Sequence, residues 1–238
     1  MNYVEQIKTE LQQNANSKKA EFLPHFFKAM PGGYGEGDRF IGTQVPVQRK
    51  IARKYFKDIS LKETEKLLQD PVHECRLTAL FILCLRYEKA NGEESKTEIV
   101  NLYLRNLSFV NNWDLVDSSA YKILGRHLMD KKKYILYDLA ESGELWKQRT
   151  AIIATLHFIK NGRFTETLAL AKIFLEHKHD LMHKAVGWML REIGKHDFNV
   201  EYGFLLENYR KMPRTMLRYA IEKFDPALRK KFLNGTAE

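Results

Sequence analysis

The stretch ECRLTALFILCL, residues 74–85, places apolar side chains at intervals of three and four residues. The same spacing recurs in AIIATLHFI, residues 151–159, and along almost the whole chain. This spacing matches the period of an α-helix with a buried face, whereas patterns typical of strands are scarce. The sequence therefore predicts an all-α fold.

Signals that begin helices agree with this prediction. Residues Ser60–Glu63 have the form of a capping box, in which a serine and a glutamate satisfy each other's backbone N–H groups. Asp70-Pro71 and Asp225-Pro226 each place a capping carboxylate before a proline, which predicts two further helix starts.

A weak internal repeat accompanies the helical pattern. Arg149, Lys184 and Arg218, each near an alanine, follow one another at intervals of 35 and 34 residues. Arg76 lies two such steps before Arg149, which places a missing member near Trp113. A period of roughly 35 residues with two helices per repeat is typical of an α-solenoid. We therefore expect one domain over residues 1–238, with about six helix pairs and a concave groove.

A glycine-rich segment from Pro31 to Arg39 interrupts the helical pattern. It follows no predicted strand and lacks the Lys-Ser/Thr pair of a phosphate-binding loop. We expect residues 31–39 to be a flexible connector.

Charge points to a polyanionic partner. The 238 residues include 39 Lys and Arg against 30 Asp and Glu, a formal net charge of +9. Such a field attracts nucleic acid, and a generic basic protein is the alternative. Cys75 and Cys84 lie on one predicted helix, too far apart to bridge, so free thiols indicate a cytoplasmic protein. The longest apolar run, Leu77–Leu85, is too short to cross a membrane.

The tryptophans indicate a functional surface. Each of them stands one helical turn from a charged residue, so the two side chains share a face. Taken singly, each tryptophan is an ordinary core aromatic and each charged residue an ordinary surface group, but the recurrence favours a shared site. The three pairs are Trp113 with Asp117, Trp146 with Arg149, and Trp188 with Arg191.

Such a surface suits cleavage of a glycosidic bond. Breaking this bond builds positive charge on the sugar, which a carboxylate stabilises while it orients water. Indole faces attract the same cation, and arginines hold the flanking phosphates. A base that is already alkylated and cationic leaves without a general acid, so one carboxylate is sufficient.

Metal and thiol chemistry are poorly supported. His179 and His183 have helical spacing, but the pattern lacks the glutamate of zinc proteases and a clear third ligand. The two cysteines lie in a strongly apolar stretch, where a reactive thiolate is disfavoured. We expect neither a metal nor a cofactor.

Four motifs occur in order along the chain: FIGTQVP at 40–46 followed by Arg49, WDLVD at 113–117, WKQRTA at 146–151 and KAVGWMLRE at 184–192. Together they resemble the AlkD-like DNA alkylation repair glycosylases, which are built of HEAT-like helical repeats. The resemblance extends from about Ala20 to Phe224. Val45 stands where this family commonly has a threonine, and Phe26 where it has a tyrosine.

The resemblance implies a monofunctional DNA glycosylase of base excision repair. It implies hydrolysis of the N-glycosidic bond of cationic N3- and N7-alkylated purines, such as 3-methyladenine and 7-methylguanine, which stay stacked in duplex DNA. By position, Asp117 is the catalytic carboxylate, and Trp113 and Trp188 lie against the lesion's deoxyribose. An open groove needs no second subunit, so we expect a monomer. The expected DNA contacts are Arg149, Arg191, Gln44, Arg49, Lys184, Arg218 and Phe26.

Two other functions fit the same sequence. One is a non-catalytic binder of distorted or branched DNA, which would show no turnover on alkylated DNA. The other is a helical-repeat scaffold that holds an acidic protein segment. A scaffold would bind DNA weakly and with a shallow salt dependence, whereas a duplex-binding groove loses affinity steeply as salt rises.

Overall fold

The computed structural model describes residues 2–238, and all regular secondary structure in this range is helical. Strand-like pairing in the described residues is confined to an isolated bridge between Arg39 and Val72. The predicted all-α fold is therefore confirmed. Across the same residues, no helix combines the length and the apolar character needed to cross a lipid bilayer.

The chain forms two compact units, the first ending at Ile123 and the second covering Leu124–Glu238. The single domain expected over residues 1–238 stays a prediction. The α-helices described in the first unit are α1 (Tyr3–Gln13), α2 (Ser17–Phe26), α3 (Val45–Tyr55), α4 (Leu61–Leu68), α5 (His73–Lys89), α6 (Glu93–Arg105) and α7 (Trp113–Ala120), with a 3₁₀ turn at Leu107–Phe109.

Helix α5 is the centre of the first unit. Buried residues, most of them apolar, lie on most faces of this helix. A helix of this kind is stable only when neighbouring helices cover it. Helices α1, α3, α4, α6 and α7 pack against it. The stretch that predicts the fold class is therefore also the core of this unit.

Helix α13 is the centre of the second unit, where α10, α11, α12, α14 and α15 pack against it. The helices of this unit are α8 (Arg126–Leu128), α9 (Tyr134–Glu141), α10 (Leu145–Ala154), α11 (Leu156–Ile159), α12 (Thr165–Ile173), α13 (Asp180–His196), α14 (Phe198–Asn208), α15 (Arg214–Ala220) and α16 (Pro226–Asn234). A π-helical turn covers Tyr121–Gly125, and a 3₁₀ turn covers Ile221–Lys223.

The repeat positions fall on separate helices. Arg76 lies on α5, Trp113 on α7, Arg149 on α10, Lys184 on α13 and Arg218 on α15. Each interval of the repeat therefore leads from one of these helices to the next, as expected for stacked helical units.

Two of the three predicted helix starts are confirmed. Ser60 and Glu63 form the complete capping box of α4. The carboxylate of Asp225 accepts hydrogen bonds from the backbone N–H groups of Ala227 and Leu228 at the start of α16.

The start predicted at Asp70-Pro71 is wrong by two residues, because α5 begins at His73. The Asp70 carboxylate accepts the Val72 N–H at 2.8 Å and pairs with Lys8 at 2.8 Å. The chain is extended at Val72, where the His73 N–H donates to the Arg39 carbonyl at 2.8 Å. Asp70 thus caps a turn before the helix, and the bridge to Arg39 delays the helix start.

Contact between α13 and α15 depends on the absence of a side chain at Gly187. A Cβ atom there would lie 2.4 Å from the Met216 carbonyl oxygen and 2.6 Å from the Tyr219 Cβ. We predict that Gly187→Ala destabilises the protein by about 2 kcal/mol or more, because backbone must move to relieve the overlap. Urea unfolding measures this change.

Gly203 provides the matched control. It also lies within a helix, α14, but a Cβ atom there would meet no atom within 4 Å. Gly203→Ala should be neutral or stabilising by about 0.5–1 kcal/mol, since alanine restricts the unfolded chain. Equal destabilisation by both substitutions would contradict the assigned packing role of Gly187.

Candidate nucleic-acid interface

Helix α7 carries the predicted tryptophan and carboxylate pair. Asn112 caps this helix, and its side chain accepts the Trp113 N–H at 2.9 Å. Trp113 is the first residue of α7 and Asp117 lies one turn later, and both side chains are partly exposed. An aromatic ring and a carboxylate therefore lie on the first turns of one helix.

Trp113 forms one wall of a cleft of about 470 Å³ within the first unit, which we call the aromatic cleft. The cleft brings together three of the predicted site residues, Phe26, Gln44 and Trp113. Its remaining walls combine aromatic, aliphatic and polar side chains from α2, α3, α5 and the segment before α3. These include Lys19, Leu23, Phe27, Phe40, Val45, Gln48, His73 and Leu77.

The aromatic rings of the cleft support one another. The Trp113 ring lies 5.8 Å from the Phe26 ring and 5.3 Å from the Phe27 ring, measured between centroids. Phe27 stacks on Phe40 at 5.3 Å, and His73 stacks on both phenylalanines at 4.9 Å. Aromatic pairs at such distances are favourable beyond their burial, so the orientation of Trp113 is coupled to several rings.

His73 is also the centre of a buried charge network. Its Nδ1 atom lies 2.8 Å from an Asp38 oxygen and its Nε2 atom lies 2.8 Å from an Asp114 oxygen. The Asp38 carboxylate also accepts a hydrogen bond from Arg76, whose guanidinium donates to the Asp70 carbonyl as well. The network therefore ties the glycine-rich segment to α5 and to the first turn of α7.

The carboxylates keep His73 charged. Burial alone lowers the pKa of its imidazole, but attraction to Asp114 and hydrogen bonds to Asp114 and Asp38 raise the pKa to about 9. Burial raises the pKa of Asp38, but hydrogen bonds and charge attraction from His73 and Arg76 lower it by more, so the net shift is downward. At neutral pH the network thus holds an imidazolium between two carboxylates.

Sequence reasoning missed this network. The sequence predicts residues 31–39 to be a flexible connector. The side chain of Asp38, near the end of that segment, is only 3% exposed and is fixed by His73 and Arg76. The connector is therefore anchored at this end, and its flexibility elsewhere stays a prediction.

Because the folded pKa of His73 lies above the usual 6.5, its contribution to stability is complete below pH 6.5 and is lost as pH rises to about 9. We predict that His73→Gln destabilises the protein by about 3 kcal/mol at pH 6, since it leaves a buried carboxylate without its partner. The difference from the native chain should shrink by at most about 1.4 kcal/mol for each unit of pH between 6.5 and 9, so that little of it remains at pH 9. Urea unfolding at several pH values measures it.

His196→Gln is the control, because His196 is exposed at the end of α13. Its effect should stay within about 0.5 kcal/mol at every pH. A destabilisation by His73→Gln that stays constant from pH 6 to 9 would show that His73 packs as a neutral ring.

The motif at 40–46 is held by a second buried carboxylate. The backbone N–H groups of Ile41 and Gly42 donate to the Glu74 carboxylate, Gly42 at 2.7 Å. Gly42 has a φ of +83°, a conformation that favours glycine. This turn leads into α3, where Gln44 is the exposed N-cap residue.

Arg49 lies one turn further along α3 and is exposed. Its guanidinium carbon is 5.0 Å from the centroid of the Phe81 ring, a cation–π geometry that leaves the charge at the surface. The roles expected for Gln44 and Arg49 in holding DNA stay predictions.

In the second unit, Trp188 and Arg191 lie on α13 and are partly exposed. The indole Nε1–H of Trp188 donates to Glu192 at 3.0 Å, and Lys195 pairs with the same carboxylate at 2.6 Å. Arg191 forms an ion pair with Glu222. The orientation of both predicted site residues is therefore set by neighbouring carboxylates.

A buried carboxyl group also lies against α13. Glu201 on α14 is 2% exposed, and burial raises its pKa to about 8, although Arg191 opposes the shift. It is therefore mainly uncharged at neutral pH. A Cβ atom at Gly194 would lie 1.7 Å from a Glu201 oxygen, so this glycine provides the space for the carboxyl group.

The other residues of this unit that are predicted to contact DNA differ in solvent exposure. Arg149 is 4% exposed, and its guanidinium donates to the Leu181 carbonyl near the start of α13. Lys184 pairs with Asp180 at 2.6 Å and is partly exposed, whereas Arg218 is exposed. All three DNA contacts stay predictions.

The expected meeting of Trp113 and Asp117 with Trp188 also stays a prediction, because the first two residues lie in one unit and Trp188 lies in the other. Within the first unit, the structure brings Trp113 together with Phe26 and Gln44 at the aromatic cleft. Within the second unit, Trp188 and Arg191 share α13 with Lys184.

His179, the N-cap residue, and His183 both serve the start of α13. His179 Nδ1 accepts the Leu181 N–H at 3.1 Å, and the His183 ring contacts the His177 carbonyl. Residues 2–238 contain no group of three or more His, Cys, Asp or Glu side chains placed to hold a metal ion. Burial raises the pKa of the Cys75 and Cys84 thiols to about 12, so both are protonated at neutral pH.

Comparison with known proteins agrees with this architecture. The model of a family described as DNA alkylation repair enzyme matches residues 7–224. A solved structure described as a predicted DNA alkylation repair enzyme from Enterococcus faecalis is similar, with a TM-score of 0.68 and 15% sequence identity, over 90% of this chain and 98% of that one. No curated protein gives a significant match. At this identity the structural similarity demonstrates a shared fold.

Proposed function

Because this chain belongs to the DNA alkylation repair enzyme family, we propose that it is a monofunctional DNA glycosylase. Its substrate would be duplex DNA carrying cationic N3- or N7-alkylated purines, such as 3-methyladenine or 7-methylguanine. The observation that carries the proposal is the pair on α7: Trp113 lines the aromatic cleft, and a partly exposed Asp117 lies one helical turn further along the same helix.

The proposed reaction is hydrolysis of the N-glycosidic bond. The bond between the sugar C1′ and the purine nitrogen breaks, and its electron pair neutralises the positive charge of the departing base. Positive charge then develops on the sugar, where the Asp117 carboxylate stabilises it. Water adds to C1′ and loses a proton to Asp117 or solvent, which leaves an abasic site.

Trp113 supplies a second stabilising interaction. Its partly exposed indole face attracts the sugar cation, an effect of about 0.5–2 kcal/mol for a well-placed ring. The rings of Phe26 and Phe27 and the His73 network hold this indole in place. Preorganisation of this kind avoids the cost of ordering the site during the reaction.

The basic character of the chain supports the DNA partner. A net charge of +9 attracts the phosphate backbone and predicts affinity that falls steeply with salt. Exposed cations such as Arg49 and Arg218 suit phosphate contacts, which position the duplex without reading sequence.

We predict that Asp117→Asn slows release of 7-methylguanine from duplex DNA by about 100-fold or more, because the amide cannot stabilise the sugar cation. Binding to the same duplex should be unchanged or tighter, since a negative charge near phosphates is removed. Single-turnover release of the base and fluorescence anisotropy measure the two quantities.

Asp138→Asn is the matched control, because Asp138 is an exposed carboxylate on α9 of the second unit. It should release the base at the native rate. Native release by Asp117→Asn would refute the catalytic role of Asp117. Tight duplex binding without release by the native chain would favour the non-catalytic binder of distorted DNA.

A further inference from the structure

Helix α2 presents apolar rings to solvent. It has no buried residue, and Phe22 and Phe26 are 60% and 48% exposed. Met30, just after the helix, is 48% exposed, and Val45 on α3 is 40% exposed. Single exposed apolar side chains are ordinary, but several that lie side by side indicate a binding surface.

The rings form a continuous series with the site on α7. Phe22 lies 5.9 Å from Phe26, and Phe26 lies 5.8 Å from Trp113, between ring centroids. Lys19, Leu23 and Phe26 on α2 line the aromatic cleft. Phe22 lies one helical turn before Phe26, so it extends the same surface beyond the cleft.

The charges around these rings are mostly positive. Lys18, Lys19 and Lys28 are exposed on the same segment, and Glu21 is the exposed acid among them. A partner that presents phosphates and apolar rings together matches this pattern. Duplex DNA has this chemistry, because apolar deoxyribose rings lie between the phosphates of each strand.

We propose that Phe22, Phe26 and Trp113 form an aromatic track that packs against successive deoxyriboses of one DNA strand, with Trp113 at the lesion. Phe22 contacts the nucleotide furthest from the site and acts as a binding residue outside the reaction itself. The inference rests on the proposed function for its substrate, but it assigns a separate contact to a residue that the family motifs do not include.

An anionic lipid surface is the alternative partner, since exposed phenylalanines beside lysines also suit a membrane interface. DNA is favoured because the exposed rings are continuous with the cleft that contains Trp113. Phe26 lines this cleft and is also exposed beside Phe22. Binding to anionic vesicles, measured beside binding to DNA, distinguishes the two partners.

The test uses the Asp117→Asn protein, in which the alkylated duplex is not consumed. We expect Phe22→Ala in this background to weaken binding to the duplex roughly tenfold, because one apolar contact with a deoxyribose is lost. The slope of log affinity against log salt should be unchanged, because no phosphate contact is lost. Lys19→Ala should reduce that slope by about one.

Tyr134→Ala is the matched control. Tyr134 is 70% exposed in the second unit and has Lys132 5.8 Å from its ring centroid, so it is also an aromatic beside a lysine. It should bind DNA as the parent does. Phe22→Tyr should bind DNA with most of the parent's affinity. The urea midpoint of every variant should match that of the parent, because Phe22, Lys19 and Tyr134 are all exposed.

In the chain with Asp117 intact, Phe22→Ala should raise the protein concentration needed for half-maximal release of 7-methylguanine while leaving the maximal rate unchanged. Unchanged DNA affinity for Phe22→Ala would overturn the track, whether or not the native chain excises the base. Loss of binding to phosphatidylserine vesicles with unchanged DNA affinity would assign the surface to membranes. A native chain that binds DNA but releases no base refutes the proposed function alone.

Discussion

An imidazolium held between two carboxylates supports the candidate site in the first unit. His73 reaches Asp38 at the end of the glycine-rich segment and Asp114 on the first turn of α7. The same ring stacks on Phe27 and Phe40, and Phe27 contacts Trp113. Charge pairing and aromatic packing thus act on one helix start, which carries Trp113 and then Asp117. A site that must stabilise a developing cation benefits from such rigidity, because its dipoles and charges are already in place.

The sequence was sufficient for the elements whose signals are local. Apolar spacing in residues 74–85 predicted a helix, and capping residues at Ser60 and Asp225 predicted two helix starts correctly. The repeat interval found helices α10, α13 and α15 through single basic residues. Each of these signals involves residues a few positions apart or a spacing that recurs, so it can be recognised in one sequence without an alignment.

Contacts between residues far apart in the chain could not be predicted from the sequence. His73 lies 35 residues from Asp38 and 41 from Asp114, and no pattern connects them before folding. The helix start at Asp70 was misplaced because a bridge to Arg39 extends the chain there. Arg149 has the spacing of a surface cation, yet it is buried because its guanidinium serves the Leu181 carbonyl. Burial and partner choice are decided by tertiary packing, which helical periodicity does not specify.

The proposed chemistry uses one carboxylate and depends on the positive charge that alkylation gives the base. The most direct measurement is single-turnover base release from two matched duplexes, one with 7-methylguanine and one with neutral O6-methylguanine at the same position. We predict release of 7-methylguanine far above the spontaneous rate and no release of O6-methylguanine. Comparable release of both bases would contradict it, because a neutral base needs a proton donor that this mechanism does not supply.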